Sequence, residues 1–266
     1  MDPRVAGKPT LMPRVYHSMD FLTNAYMQLA QDGKAAALLE PYRAVTEPPP
    51  LIYVFHTGFA AAFVRYAFDR GAWAEAAALP VPQTPYPQAE AISWFGRAVG
   101  AARSGDPAAA KVDLEQIRSL GGKLAEAGNA YWAEQVKAQD MAAAAWIALA
   151  EGRRDEAVRL MRAAAELEDR TEKSIAMENR LSPMHELLGE MLLAVGEPAA
   201  ALHEFEVSLQ IAPNRYRSIA GAAKAAAGIQ DGDAMRVWNE RLLQLTSDAD
   251  TERPEMAAAR AFLARN

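Results

Sequence analysis

The chain has no cysteine among its 266 residues. That excludes a disulfide framework, a thiolate nucleophile and any zinc or iron–sulfur site built on cysteine ligands. It also lacks an excess of positive charge: 28 Lys and Arg stand against 34 Asp and Glu, for a formal charge of −6 and a pI of about 5.4. A phosphate-backbone binder needs a concentrated cationic face, so nucleic acid is not an expected partner. No run of about 18 uninterrupted apolar residues is present, and a membrane-spanning helix is not expected. Met1 to Leu11 carries Asp2, Arg4, Lys8 and two prolines where a secretory signal would have an apolar centre. The expected location of the chain as written is cytoplasmic; it becomes periplasmic or exported if the chain is part of a longer precursor.

Candidate chemistry is sparse. The four histidines, His17, His56, His185 and His203, form no HxxxH or HExxH pair, so no two imidazoles are placed on one helix face for a metal. Ser182 and Ser218 have no nucleophile elbow around them, and no Gly-rich phosphate cradle occurs. The acid pairs Glu166 with Glu168 and Glu186 with Glu190 read as solvated helix faces, because paired carboxylates need a closed pocket to drive their pKa values apart. The expectation is no catalytic residue, no metal, no cofactor and no enzyme activity.

What is present points to helix. Apolar residues make up 51% of the chain and charged ones 23%, and stretches such as Ala142 to Ala145 and Ala222 to Ala227 favour helix because Ala loses no side-chain entropy there. Strand signals are weak; the nearest, Leu51 to Phe55, runs straight into a segment with helical spacing. Four segments share a Gly followed five residues later by an Ala: Gly71 and Ala76, Gly105 and Ala110, Gly152 and Ala157, Gly196 and Ala201. The steps between these glycines are 34, 47 and 44 residues, and the first equals the tetratricopeptide period. Gly accepts the left-handed conformation that ends one helix, and the small Ala lets the next pack closely on it. One turn beyond the Ala come the apolar knobs Leu114, Met161 and Phe205; a further pair lacks the Gly but keeps Ala234 and Trp238.

Periodicity, Pro and Gly place helix pairs at about 14–46, 51–79, 87–120, 129–168, 182–211 and 214–246, with a capping helix at 254–265. The expected fold is all-α: one right-handed α-α superhelix spanning 1–266, with an irregular 1–13, degenerate repeats over 14–168 and the clearest repeats over 182–246. EPPP at Glu47 to Pro50 and PVPQTPYP at Pro80 to Pro87 are connectors. Arg170 to Ser182 is a long loop, and long loops inside compact arrays carry function more often than average.

Met184 to Pro213 resembles a tetratricopeptide repeat over its whole length. Leu188, Gly189, Leu192, Gly196, Ala201, Phe205, Leu209 and Pro213 fall on the motif's positions, while Ser208 and His185 depart from its usual Ala and Trp. Further phrases, at Tyr16–Leu29, Ala98–Leu114, Ala130–Gln139, Ala148–Lys173 and Pro213–Ala227, make nearly the whole chain similar to the C-terminal part of an uncharacterised family of bacterial tetratricopeptide-repeat proteins. The resemblance implies the fold and no activity. It also implies an N-terminal half with His-rich motifs in longer relatives, and a His after Thr-Glu-Lys in the long loop, where this chain reads Thr171, Glu172, Lys173, Ser174.

Such a stack presents a concave surface lined by the first helix of each pair, suited to a protein or peptide segment. Glu186, Glu190 and Leu193 are expected to face it, and Tyr131, Trp132 and Gln135 to do likewise, with one of the adjacent aromatics buried and the other exposed. Arg215, Arg217 and Lys224 form the densest basic feature, spaced to meet carboxylates of a partner. Trp94, Trp146 and Trp238 are expected in the core. Two other readings remain: a small-molecule or metal-binding pocket where the 170–182 loop folds over the groove, lined by Glu172, Lys173, Tyr131 and Gln135, and self-assembly into a homo-oligomer.

Overall fold

A computed structural model describes residues 14–45, 53–171 and 181–265; the Glu47 to Pro50 connector and Glu172 and Lys173 of the long loop lie outside them. Among the described residues every regular element is a helix. The first half comprises α1 (Arg14–Gln28), α2 (Asp32–Leu39) with a 3-10 turn at Glu40–Tyr42, α3 (Tyr53–Asp69), α4 (Trp73–Ala77), α5 (Pro87–Arg103), α6 (Pro107–Glu126) and α7 (Ala130–Ala150). The second half comprises α8 (Arg154–Asp169), α9 (Met184–Val195), α10 (Pro198–Ile211), α11 (Tyr216–Gly228), α12 (Gly232–Leu245) and α13 (Pro254–Leu263). Starts follow local chemistry. Pro87, Pro107, Pro198 and Pro254 open helices where the missing N–H has no intrahelical partner to lose. Asp106, Asn129 and Asp231 accept from the backbone N–H three residues on.

The Gly-to-Ala spacing has a backbone cause. Gly71, Gly105, Gly152 and Gly196 all have positive φ, and the residue after each donates to the carbonyl five residues before it, as in Ala72 to Ala67 and Glu197 to Leu192, both 2.9 Å. The same turn joins α1 to α2 and α11 to α12. There it is made by Ala30 (φ 51°) and Gln230 (φ 58°), with bonds from Gln31 to Tyr26 and Asp231 to Ala226. This corrects the register of the last pair: with Gln230 in the glycine's place, the buried residue nine positions on is Asn239, and Trp238 is only half-buried. It also gives the first pair its knobs, Ala35 and Leu39, both with no exposed surface. A second correction concerns α6, which runs through Gly121 and Gly122 to Glu126 instead of ending near 120.

Successive helices pack in adjacent pairs, and the first helices of the pairs also touch one another: α1 on α3, α3 on α5, α5 on α7, α7 on α9 and α9 on α11. Helix α11 then touches α1, so the inner circuit closes. The seam is polar. Gln28 Oε1 accepts from Tyr216 N (2.8 Å), Asp250 accepts from Gly33 N and Lys34 N (3.0 and 2.9 Å), and Gln31 Nε2 donates to the Asp248 carbonyl (2.9 Å). Arg253, the N-cap of α13, pairs with Asp32 and donates to the Met27 carbonyl (3.0 Å). The segment leading into α13 therefore joins the last unit to the first, instead of only capping a free end. Trp146 is buried, as expected, whereas Trp94 and Trp238 lie half-buried against the apolar clusters.

Candidate functional site

Closing the circuit buries charged side chains that an open groove would expose. Arg65, with no exposed surface, donates from Nε to Asp20 Oδ1 (3.0 Å) and from Nη1 to the Leu181 carbonyl (2.8 Å). Further round, Arg215 donates from Nη2 to Asp69 Oδ1 (2.9 Å) and from Nε to Glu186 Oε2 (3.2 Å). Ser218 donates to the same Glu186 oxygen (2.6 Å) and lies 2.9 Å from Ser208. Two attractive carboxylates outweigh burial and push the Arg215 pKa up. Glu186 is 1% exposed. Two expectations are thus corrected: Glu186 is buried against Arg215 and Ser218 instead of standing on an open groove, and Arg215 pairs with the chain's own Asp69 and Glu186. Ser208, the departure from the motif's usual Ala, belongs to this network.

Glu190, Leu193, Arg217 and Lys224 are brought together as expected. They line a cleft of about 250 Å³ with Arg103, Ala194, Phe205, Tyr216, Ala220, Gly221 and Glu255. Arg217 is nevertheless not free for a partner's carboxylate in the way its spacing suggested. Its Nε donates to Glu190 Oε1 (2.6 Å), and Arg103 Nη1 donates to the other carboxylate oxygen. Burial raises the Glu190 pKa, but Arg217 and Arg103 outweigh it and hold the carboxyl down at about 2. Lys224 is exposed and makes no bond to the described residues.

Arg103 was not singled out in the sequence. Its guanidinium carbon lies 3.6 Å from the ring centroid of Trp73 and 4.0 Å from that of Trp146, which clamps the planar group. Burial lowers its pKa, with Glu190 opposing and the like charge of Arg217 assisting that shift. Its position at the end of α5, two residues before Gly105, was the available signal; the two tryptophans come from α4 and α7, far away in sequence.

Tyr131, Trp132 and Gln135 are not brought to this cleft. Gln135 is buried, and both aromatics are half-buried, so the expectation of one buried and one exposed is corrected. Their rings meet edge to face at 5.2 Å, and Trp132 also meets Tyr53 at 5.8 Å, so each covers part of the other. Of the histidines, His56 is buried with Nδ1 3.0 Å from Thr84 Oγ1, His203 is exposed, and the side chain of His17 is outside the described set.

His185 ties three helices together where the long loop leaves and returns. Nδ1 is 2.6 Å from Glu204 Oε2 on α10, and Nε2 is 3.1 Å from both oxygens of Asp169 on α8. Carboxylates on both sides of the ring favour the form in which both nitrogens donate, the cationic one. The bond to Glu204 raises the pKa, burial opposes it, and Asp169 adds to the rise. A raised folded pKa gives stability that is complete below the unfolded value of about 6.5 and is lost as pH rises through the folded value. Urea midpoints measured from pH 6 to 9 are expected to fall on the alkaline side, and His185→Gln is expected to flatten that fall. An unchanged slope in the variant would assign the pH dependence to other groups.

No three His, Asp or Glu side chains converge as a metal cluster among the described residues, and no described helix is long and apolar enough to cross a membrane. No protein-family model matches the sequence, and no curated protein matches it.

Proposed function

We propose that this protein is a non-catalytic scaffold of the tetratricopeptide type, a right-handed α-α superhelix of six pairs and a closing helix, that binds a protein or peptide segment carrying a carboxylate. The regularity of the Gly, Ala30 and Gln230 turns supports the repeat type, since all six junctions within pairs share one hydrogen bond. The observation that carries the binding reading is the cleft, where Arg103, Arg217 and Lys224 outnumber Glu190 and Glu255. An acidic group entering it gains from three cations. The groove is a local cleft and not a trough running the length of the array, because the inner helices touch around the whole circuit.

Lys224 is the residue to test, because it is exposed and free of internal partners, whereas removing Arg217 also strips Glu190 of a counterion. On an array of acidic and neutral peptides, Lys224→Glu is expected to lower the affinity for acidic peptides by about tenfold, or about 1.4 kcal/mol, and to leave neutral ones unchanged. Equal recovery of acidic peptides by both proteins would remove the carboxylate part of the reading.

A further inference from the structure

We infer that the cleft between α5, α9 and α11 is a site for a small free carboxylic acid with a short apolar tail, read chiefly by Arg103. The inference rests on the cleft being a binding site, and goes beyond the scaffold reading by making the occupant a small molecule.

Donor counting carries the anion. Arg103 gives one N–H to Glu190, and its Nε and Nη2 make no bond to the described residues. Arg217 gives Nε and Nη2 to Glu190 and leaves Nη1, and Lys224 leaves all of Nζ. The acceptors that line the cleft are already engaged: Glu190 takes both guanidiniums, and Glu255 accepts from the Tyr216 hydroxyl at 3.2 Å. The lining thus holds three cations against two carboxylates, with unused donors on each cation. One more monoanion balances it. A planar carboxylate suits the group held flat between Trp73 and Trp146, whose Nε and Nη2 edge can donate two parallel bonds.

Size and lining carry the tail. At about 250 Å³ the cleft lies below the roughly 300–1,000 Å³ of pockets for drug-sized ligands. Its apolar wall is Leu193, Ala194 and Ala220, and the buried Phe205 ring packs against Gly221 beneath it. These surfaces match a few methylenes, not a long or polar chain.

Butyrate is the probe, with butyramide as its uncharged counterpart, inorganic phosphate as a different oxyanion, and a peptide ending in a free or an amidated carboxyl as the chain-end source. The readouts are the Arg103 side-chain Nε–H resonance and calorimetry on the full chain. So small a ligand is expected to bind with Kd of about 0.1–10 mM, to shift the Arg103 signal, and to exceed butyramide and phosphate. Lys224→Met is expected to weaken butyrate by about tenfold. Ala194→Phe, at an exposed position on the mouth, is expected to abolish it while unfolding stays unchanged. Butyrate that leaves the Arg103 signal unmoved, or that Ala194→Phe does not weaken, overturns the assignment. So does phosphate or the free-carboxyl peptide binding more tightly than butyrate. The scaffold reading fails separately, when acidic peptides do not distinguish Lys224→Glu, so butyrate binding without that distinction sinks the scaffold and keeps the small-acid site.

Discussion

Arg215→Met is expected to lower the free energy of unfolding at pH 7 by about 3–5 kcal/mol, read from denaturant midpoints. The side chain is 6% exposed and sits between Asp69 and Glu186, whose side chains are 0% and 1% exposed. A well-packed apolar replacement for a whole buried ionic cluster is often neutral, but removing only the cation leaves two carboxylates out of water without a hydrogen-bonded counterion. Asp69 would keep Gln28 Nε2 (2.9 Å) and Glu186 would keep Ser218, and neither donor carries charge. A typical domain has about 5–15 kcal/mol in total, so the change consumes a large part of it. Adding Glu186→Gln to Arg215→Met is expected to recover part of the loss, since one stranded charge disappears. A double variant as unstable as the sum of the two singles would show that Arg215 acts through packing and not through charge.

The helices were legible because their signals are local. Prolines at the first position, Asp or Asn caps and the four glycines each act within a turn of themselves, and together they place the pairs close to the observed boundaries. The two junctions without glycine were not legible: Ala30 and Gln230 adopt positive φ at a cost that only the surrounding packing sustains. Ala30 is completely buried and its carbonyl accepts from Asp250 N and Thr251 N, partners more than two hundred residues away. The same distance explains the site. Glu190, Arg217 and Lys224 follow from the register of two neighbouring repeats. Arg103 and its tryptophans require knowing that α4, α5 and α7 meet α9 and α11 across the centre. The reading of Glu186 and Arg215 as partner-facing failed because register tells which side chains point inward. It does not tell that the circuit closes and fills the inside with the chain's own acids and bases.

Gly221→Ala is expected to destabilise the protein, although helix propensity taken alone gives the opposite sign. In the interior of a helix Ala is favoured over Gly by about 1 kcal/mol. A Cβ at 221, however, would stand 2.3 Å from Phe205 Cζ and 2.5 Å from Cε1, and Gly189 also hems the ring in, at 2.8 Å from Cε1 by the same measure. Phe205 is completely buried, and forcing extra volume into such a place costs about 1–3 kcal/mol or more, which exceeds the propensity gain. Gly122→Ala separates the two effects. It lies inside α6 with nothing within 4 Å of a Cβ, so it is expected to stabilise by about 0.5–1 kcal/mol. Trimming the ring in Phe205→Leu removes the collision, so Gly221→Ala combined with Phe205→Leu is expected to cost less than the sum of the singles. Strict additivity would mean that the ring is not what the glycine accommodates. Because Phe205 and Gly221 also line the cleft, the same pair ties the depth of the site to the packing of α9, α10 and α11: Gly221→Ala is expected to weaken butyrate binding by calorimetry, and Gly122→Ala to leave it unchanged.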